Sequence, residues 1–75
     1  MMAEQQVETE VGGSVCKIEC AEGDSLFEGD PIVIVESMKM EIPVGSPANA
    51  RVVKLLVAVG DTVREGQPVA IVETA

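Results

Sequence analysis

VCKIECAEGDSLFEGDPIVIVE (residues 15–36) and VVKLLVAVGDTVREGQPVAIVE (residues 52–73) are one stretch written twice. The offset is 37 residues, with Gly23 falling on Gly60. Lys17/Lys54, Asp24/Asp61, Glu28/Glu65, Gly29/Gly66, Pro31/Pro68, Ile34/Ile71, Val35/Val72 and Glu36/Glu73 are identical pairs. Each copy reads as a strand, a Gly-Asp turn, a short apolar step, a Glu-Gly turn and a strand opened by proline. Glycine supplies positive φ at such turns, and proline is tolerated as the first residue of a strand. The turn signals recur too closely for a helix of ordinary length. A solenoid needs about three or more repeats, so two copies point to halves of one domain. The reading is all-β: a flattened barrel or sandwich of about eight short strands in two pseudo-twofold halves.

Composition agrees with that class. A chain of 75 residues supports one small core, and 47% of it is hydrophobic. The apolar set is rich in Val and Ile and has one aromatic residue, Phe27, which favours strands over helices. The net charge is −8. The basic residues Lys17, Lys39, Arg51, Lys54 and Arg64 are scattered, which speaks against nucleic acid and anionic membranes as partners. Histidine is absent, and neither a phosphate-cradling glycine loop nor a metal-ligand cluster is present, so an autonomous catalyst is the weakest reading. No apolar run reaches the length of a membrane span or a secretory core, and MMAEQQVETE (1–10) is acidic and without arginine. The expectation is a cytoplasmic, free-standing protein with a flexible tail over 1–6 and a single domain over 7–75.

Cys16 and Cys20 lie four residues apart. On a strand they stand roughly 13 Å apart, beyond the roughly 7 Å that a disulfide spans. They align with Val53 and Val57, which predicts small apolar side chains facing inward, with Lys17 and Lys54 facing out. A bulge at Cys16 would turn that residue outward.

The segment between the copies is SMKMEIPVGSPANAR (37–51). IVIVE (32–36) runs in and MEIPV (40–44) runs out, so Ser37, Met38, Lys39 and Met40 form a hairpin tip. Tight hairpins prefer Asn-Gly or Gly-X at their centre, and Met38-Lys39 is neither. A primed two-residue turn would strain both residues, whereas ordinary negative φ would remove that argument. A lone turn lysine is ordinarily solvated surface. The flanking methionines change its meaning, because exposed thioethers suit a surface that other proteins read, although one of the two is expected to pack down. The sequence offers Lys39 no desolvating pocket and no adjacent base. Its amine is therefore a nucleophile only if a partner enzyme deprotonates it and supplies an activated acyl group. Lys39 reads as an acceptor of covalent modification.

These residues resemble a known family. ESMKMEIPV (36–44), with its Met-Lys-Met, and the paired GD…EG…P halves are similar to the biotinyl carrier domains of the biotin/lipoyl attachment family, over residues 7–73. Lipoyl domains typically place Asp before their lysine and Ala or Val after it, so Met38 and Met40 favour biotin. The resemblance implies the flattened eight-stranded fold with the lysine on a protruding hairpin. It implies that a biotin protein ligase joins biotin to Lys39 as an amide, through biotinyl-adenylate. It also implies that the arm carries CO2 from biotin carboxylase to a carboxyltransferase, as in an acyl-CoA carboxylase of fatty acid metabolism. Met38 and Met40 match the family's flanking methionines and imply recognition by these partners; Ser37, Glu36 and Glu41 join them as candidates. Ser37 replaces a common Ala, Glu10-Val11-Gly12-Gly13 replaces a common Pro-Met-x-Gly, and Ala50 replaces a common Gly. No insertion separates Gly13 from Pro31, so the carrier is thumbless. A lipoyl carrier and an unmodified structural sandwich remain the alternatives.

Overall fold

The computed structural model describes residues 3–74. The described residues form eight strands and no helix: β1 (Ala3–Glu8), β2 (Gly13–Ile18), β3 (Ser25–Leu26), β4 (Pro31–Ser37), β5 (Met40–Gly45), β6 (Ala50–Leu55), β7 (Thr62–Val63) and β8 (Pro68–Thr74). The offset of 37 maps β1 onto β5, β2 onto β6, β3 onto β7 and β4 onto β8. The strands make two antiparallel four-stranded sheets, ordered β1-β8-β6-β3 and β5-β4-β2-β7. The mapping turns one order into the other. The two halves are thus interleaved: each sheet takes two strands from each half, and neither half has a sheet of its own.

The core between the sheets repeats the same symmetry. Val7/Val44, Val15/Val52, Ile32/Val69, Val33/Ala70 and Val35/Val72 are all buried. Burying each valine or isoleucine is worth about 1.5–3 kcal/mol, which makes this valine core the chief source of stability. Strands β4 and β8 bury two successive residues each, Ile32-Val33 and Val69-Ala70. Simple alternation forbids that, and register shifts between Pro31 and Val33 and beside Val69 permit it.

The turns are built in matched pairs. Gly23, Gly29, Gly60 and Gly66 all have positive φ. Asp24 and Asp61 carboxylates accept from the Ala21 and Ala58 backbone N–H groups, and Thr9 and Ser46 are buried hydroxyls that donate to the carbonyls of Val11 and Ala48.

Two expectations need correction. The tail placed at 1–6 is a strand from residue 3, since β1 pairs with β8 from Ala3↔Thr74 onward; residues 1 and 2 lie outside the described residues. Strand AEQQVE buries only Val7, so it carries no hydrophobic alternation from which a strand could be read. Cys16 does not occupy an inward position. The β2–β4 register skips it between Val15 and Lys17, and Val15 is the buried residue. Cys16 is the extra residue of a bulge, half-buried, with Sγ donating to the Ile34 carbonyl at 3.4 Å. Val53, its counterpart, lies in the matching bulge and is 38% exposed. Cys20 is half-buried against the core, and Lys17 and Lys54 face out.

Candidate acceptor site

Strands β4 and β5 form the hairpin, with Val35↔Ile42, Glu36↔Glu41 and Ser37↔Met40 in register. Only Met38 and Lys39 remain to close it. Their φ angles are 52° and 66°, left-handed for both. Each such residue costs about 1–3 kcal/mol, so the turn sequence opposes the turn. The strands impose it. A one-residue slip of β5 on β4 would swing Val44 or Val35 out of the core, and their burial holds the register.

The tip projects its side chains into solvent. Met38 is 92% exposed and Met40 is 62% exposed, so neither packs down. The expectation for one of them fails because Met38 lies past the end of the ladder and Met40 sits on its last rung, opposite a Ser37 that is only half-buried itself. Lys39 is exposed, and the one ion pair among the described residues, Arg51 to Glu73 at 3.4 Å, does not involve it. A surface amine flanked by two uncovered thioethers, on a turn braced by two strands, fits a long acyl group that must reach away from the domain.

Glu36 and Glu41 face each other across the hairpin, both exposed. The other half repeats the arrangement with Glu73 opposite Glu4. There the like charges are relieved, because Arg51 pairs with Glu73 from the next strand. At the hairpin the same position belongs to Ser14, opposite Glu36. The hairpin end therefore keeps an acidic pair without an arginine beside Lys39. Ser14 was not among the residues singled out from the sequence, although the offset of 37 already sets it against Arg51.

Comparison with known proteins converges on this hairpin's family. The family model described as "Biotin-requiring enzyme" matches residues 2–72. Over 40 residues the chain is 50% identical to the biotinylated protein TB7.3 homolog of Mycolicibacterium smegmatis, covering 53% of this chain and 56% of that one. The homolog from Mycobacterium leprae is 48% identical over the same length. The match thus spans about half the length of these relatives. Among solved structures, Kluyveromyces lactis urea carboxylase superposes with a TM-score of 0.89 at 34% identity, over 93% of this chain and 6% of that one. A single-chain, multi-domain long-chain acyl-CoA carboxylase superposes with a TM-score of 0.87 at 29% identity, over 92% and 7%. The interleaved all-β fold, the Met-Lys-Met hairpin and a family match over nearly the whole chain agree, and the chain belongs to the biotin/lipoyl attachment family as a biotinyl carrier domain.

Proposed function

We propose that this chain is the biotin carboxyl carrier of a biotin-dependent carboxylase, with Lys39 as the attachment residue. The observation that carries this reading is the left-handed Met38-Lys39 turn, which holds an exposed lysine between two exposed methionines. Lys39 Nζ attacks the carboxyl carbon of biotinyl-adenylate on a biotin protein ligase. An amide forms, the acyl–phosphate bond breaks, AMP leaves, and the amine's proton passes to the ligase or to water. When attached, biotin supplies a ureido ring that carries a carboxyl group from a biotin carboxylase to a carboxyltransferase.

The chain's own residues do three things in this scheme. The β4–β5 ladder fixes the lysine on a rigid base, which lowers the entropic cost of docking into each partner. Met38 and Met40 offer deformable apolar contact to partners of different shape, and Ser37, Glu36 and Glu41 add polar and charged contact. Amide formation removes the lysine's charge and leaves the flanking glutamates as the local field. An acyl-CoA carboxylase in the cytoplasm is the fuller form of the proposal. It is supported by the likeness to the long-chain acyl-CoA carboxylase, while the likeness to urea carboxylase keeps the acceptor a question for the carboxyltransferase.

The test is intact mass after incubation with biotin, ATP and a biotin ligase. One biotin adduct on the parent chain and none on Lys39→Ala is the expected result. No adduct on folded parent, with a control carrier modified in parallel, overturns the reading. An adduct with lipoate and a lipoate ligase instead makes the chain a lipoyl carrier.

A further inference from the structure

Gly12, Gly13 and Gly45 are the glycines that the left-handed region does not explain, and Gly13 is the most crowded of the three. Gly23, Gly29, Gly60 and Gly66 have positive φ and open space where a Cβ would stand. Gly13 has neither. A Cβ built on it would overlap the backbone carbonyl oxygen of Glu36 and would lie 3.0 Å from Val35 Cγ1. Gly12 beside it would meet nothing nearer than the Val63 carbonyl oxygen at 3.4 Å, which is ordinary contact. The offset of 37 sets Gly13 against Ala50, so the matching site in the other half carries the methyl group that Gly13 must lack.

The two sites differ in how the paired strands continue beyond them. Ala50 lies in register with Thr74, where β8 ends. No tight turn joins β8 to β1 there. Gly13 lies against Glu36, and the pairing continues without a break through Ser37↔Met40 into the strained turn. Any displacement of the Glu36 carbonyl is passed to both strands of the hairpin, because a close-packed ladder transmits a shift rather than absorbing it.

We infer that Gly13 is a positioning residue for the acceptor lysine: its missing Cβ lets β2 seat the base of the hairpin and so sets where Lys39 is presented to a modifying enzyme. This rests on the proposal that the chain is a biotin carrier. The Glu36 carbonyl is three residues before Lys39 in sequence, so a small parting of β2 from β4 tilts the whole tip. A misplacement of about 1 Å in a reacting group can cost up to about 10²-fold in rate.

The experiment compares Gly13→Ala with Gly12→Ala and Ala50→Gly in the full chain. Three readouts are taken: thermal unfolding, backbone amide chemical shifts, and ligase-catalysed biotinylation measured as kcat and KM for the acceptor protein. The expected result is a folded Gly13→Ala protein whose amide shifts change chiefly over residues 35–41. Its kcat/KM is expected to fall by about 10-fold to 10²-fold. Gly12→Ala and Ala50→Gly are expected to keep the parent's rate. A Gly13→Ala protein modified at the parent's rate overturns the inference. So does one that fails to fold or whose shifts spread evenly through the chain, since Gly13 would then serve general packing. A parent chain that takes no biotin overturns the carrier proposal instead, and the pattern of amide shifts still decides whether Gly13 sets the hairpin.

Discussion

Glu36 lies directly across the β4–β5 ladder from Glu41, two like charges held in register next to the Met38-Lys39 turn. Directly opposed like charges destabilise a sheet, by an amount within the 0.2–1 kcal/mol range typical of cross-strand pairs, about the worth of an exposed ion pair. The other half shows the same pair, Glu73 and Glu4, relieved by Arg51. Ser14→Arg installs that arginine beside Glu36. Stability to urea is expected to rise by up to about 1 kcal/mol, and the gain is expected to shrink with added salt. The biotinylation rate is expected to fall, because the acidic pair is then occupied from within the molecule. A variant that is both more stable and modified at the parent's rate would show the glutamates to be plain solvated surface.

The turn makes a second trade visible. Met38 and Lys39 hold left-handed backbones that Asn and Gly adopt at little cost. Met38→Asn with Lys39→Gly is expected to stabilise the domain by about 1 kcal/mol or more while abolishing modification. Chemical denaturation of the unmodified proteins measures the first effect, and intact mass the second. An unchanged or lowered stability would mean that the turn stores no strain.

The hairpin and its lysine were legible because they sit where a repeated pattern is interrupted. The strand-turn grammar of 15–36 and 52–73 leaves residues 37–51 to form a return, and its tip falls on Met38-Lys39 whatever the exact strand limits. Strand β1 was not legible, because five of its six residues are exposed and its pairing with β8 closes the chain from end to end. The bulges were not legible either. Cys16 and Val53 look like inward residues when counted by twos, and only the register of the neighbouring strands shows that each is skipped. The acidic pair at the hairpin was visible as two separate glutamates. Their opposition, and the serine standing where an arginine stands in the other half, needed the ladder.

Cys20 gives a prediction in pH. Burial, with Asp24 as the second cause, pushes its thiol above the ordinary value of 9.0. The unfolded chain therefore loses this proton at lower pH than the folded one. The contribution to stability is fully present below the unfolded value and is lost as pH rises through the folded one. Urea midpoints are expected to hold steady to about pH 8 and then decline through the range above 9. Cys20→Val, which copies its partner Val57, is expected to flatten part of that decline. Identical alkaline slopes for parent and variant would assign the loss to other groups.

Thr9 and Ser46 provide the strictest check on the interleaved halves. Both are buried and both occupy the step just past an edge strand, β1 in one case and β5 in the other. Thr9 Oγ1 donates to the Val11 carbonyl at 2.8 Å, and Ser46 Oγ donates to the Ala48 carbonyl at 2.6 Å. Their backbone groups are bound alike: Thr9 N donates to the Gln67 carbonyl and the Thr9 carbonyl accepts from Gly66 N, while Ser46 N donates to the Asp30 carbonyl and the Ser46 carbonyl accepts from Gly29 N. Removing either hydroxyl takes a partner from a carbonyl in a part-buried bond, at a cost of up to about 1–3 kcal/mol. Thr9→Val and Ser46→Ala are therefore expected to destabilise by similar amounts, although one lies near the start of the chain and the other in its middle. Thr9 lines one surface cleft with Gly45 and Pro47, which flank Ser46, so the two sites are neighbours in space and the double variant is expected to depart from additivity. A Thr9→Val protein as stable as the parent, with Ser46→Ala strongly destabilised, would mean that β1 is only loosely held and that the second half supports the fold without it.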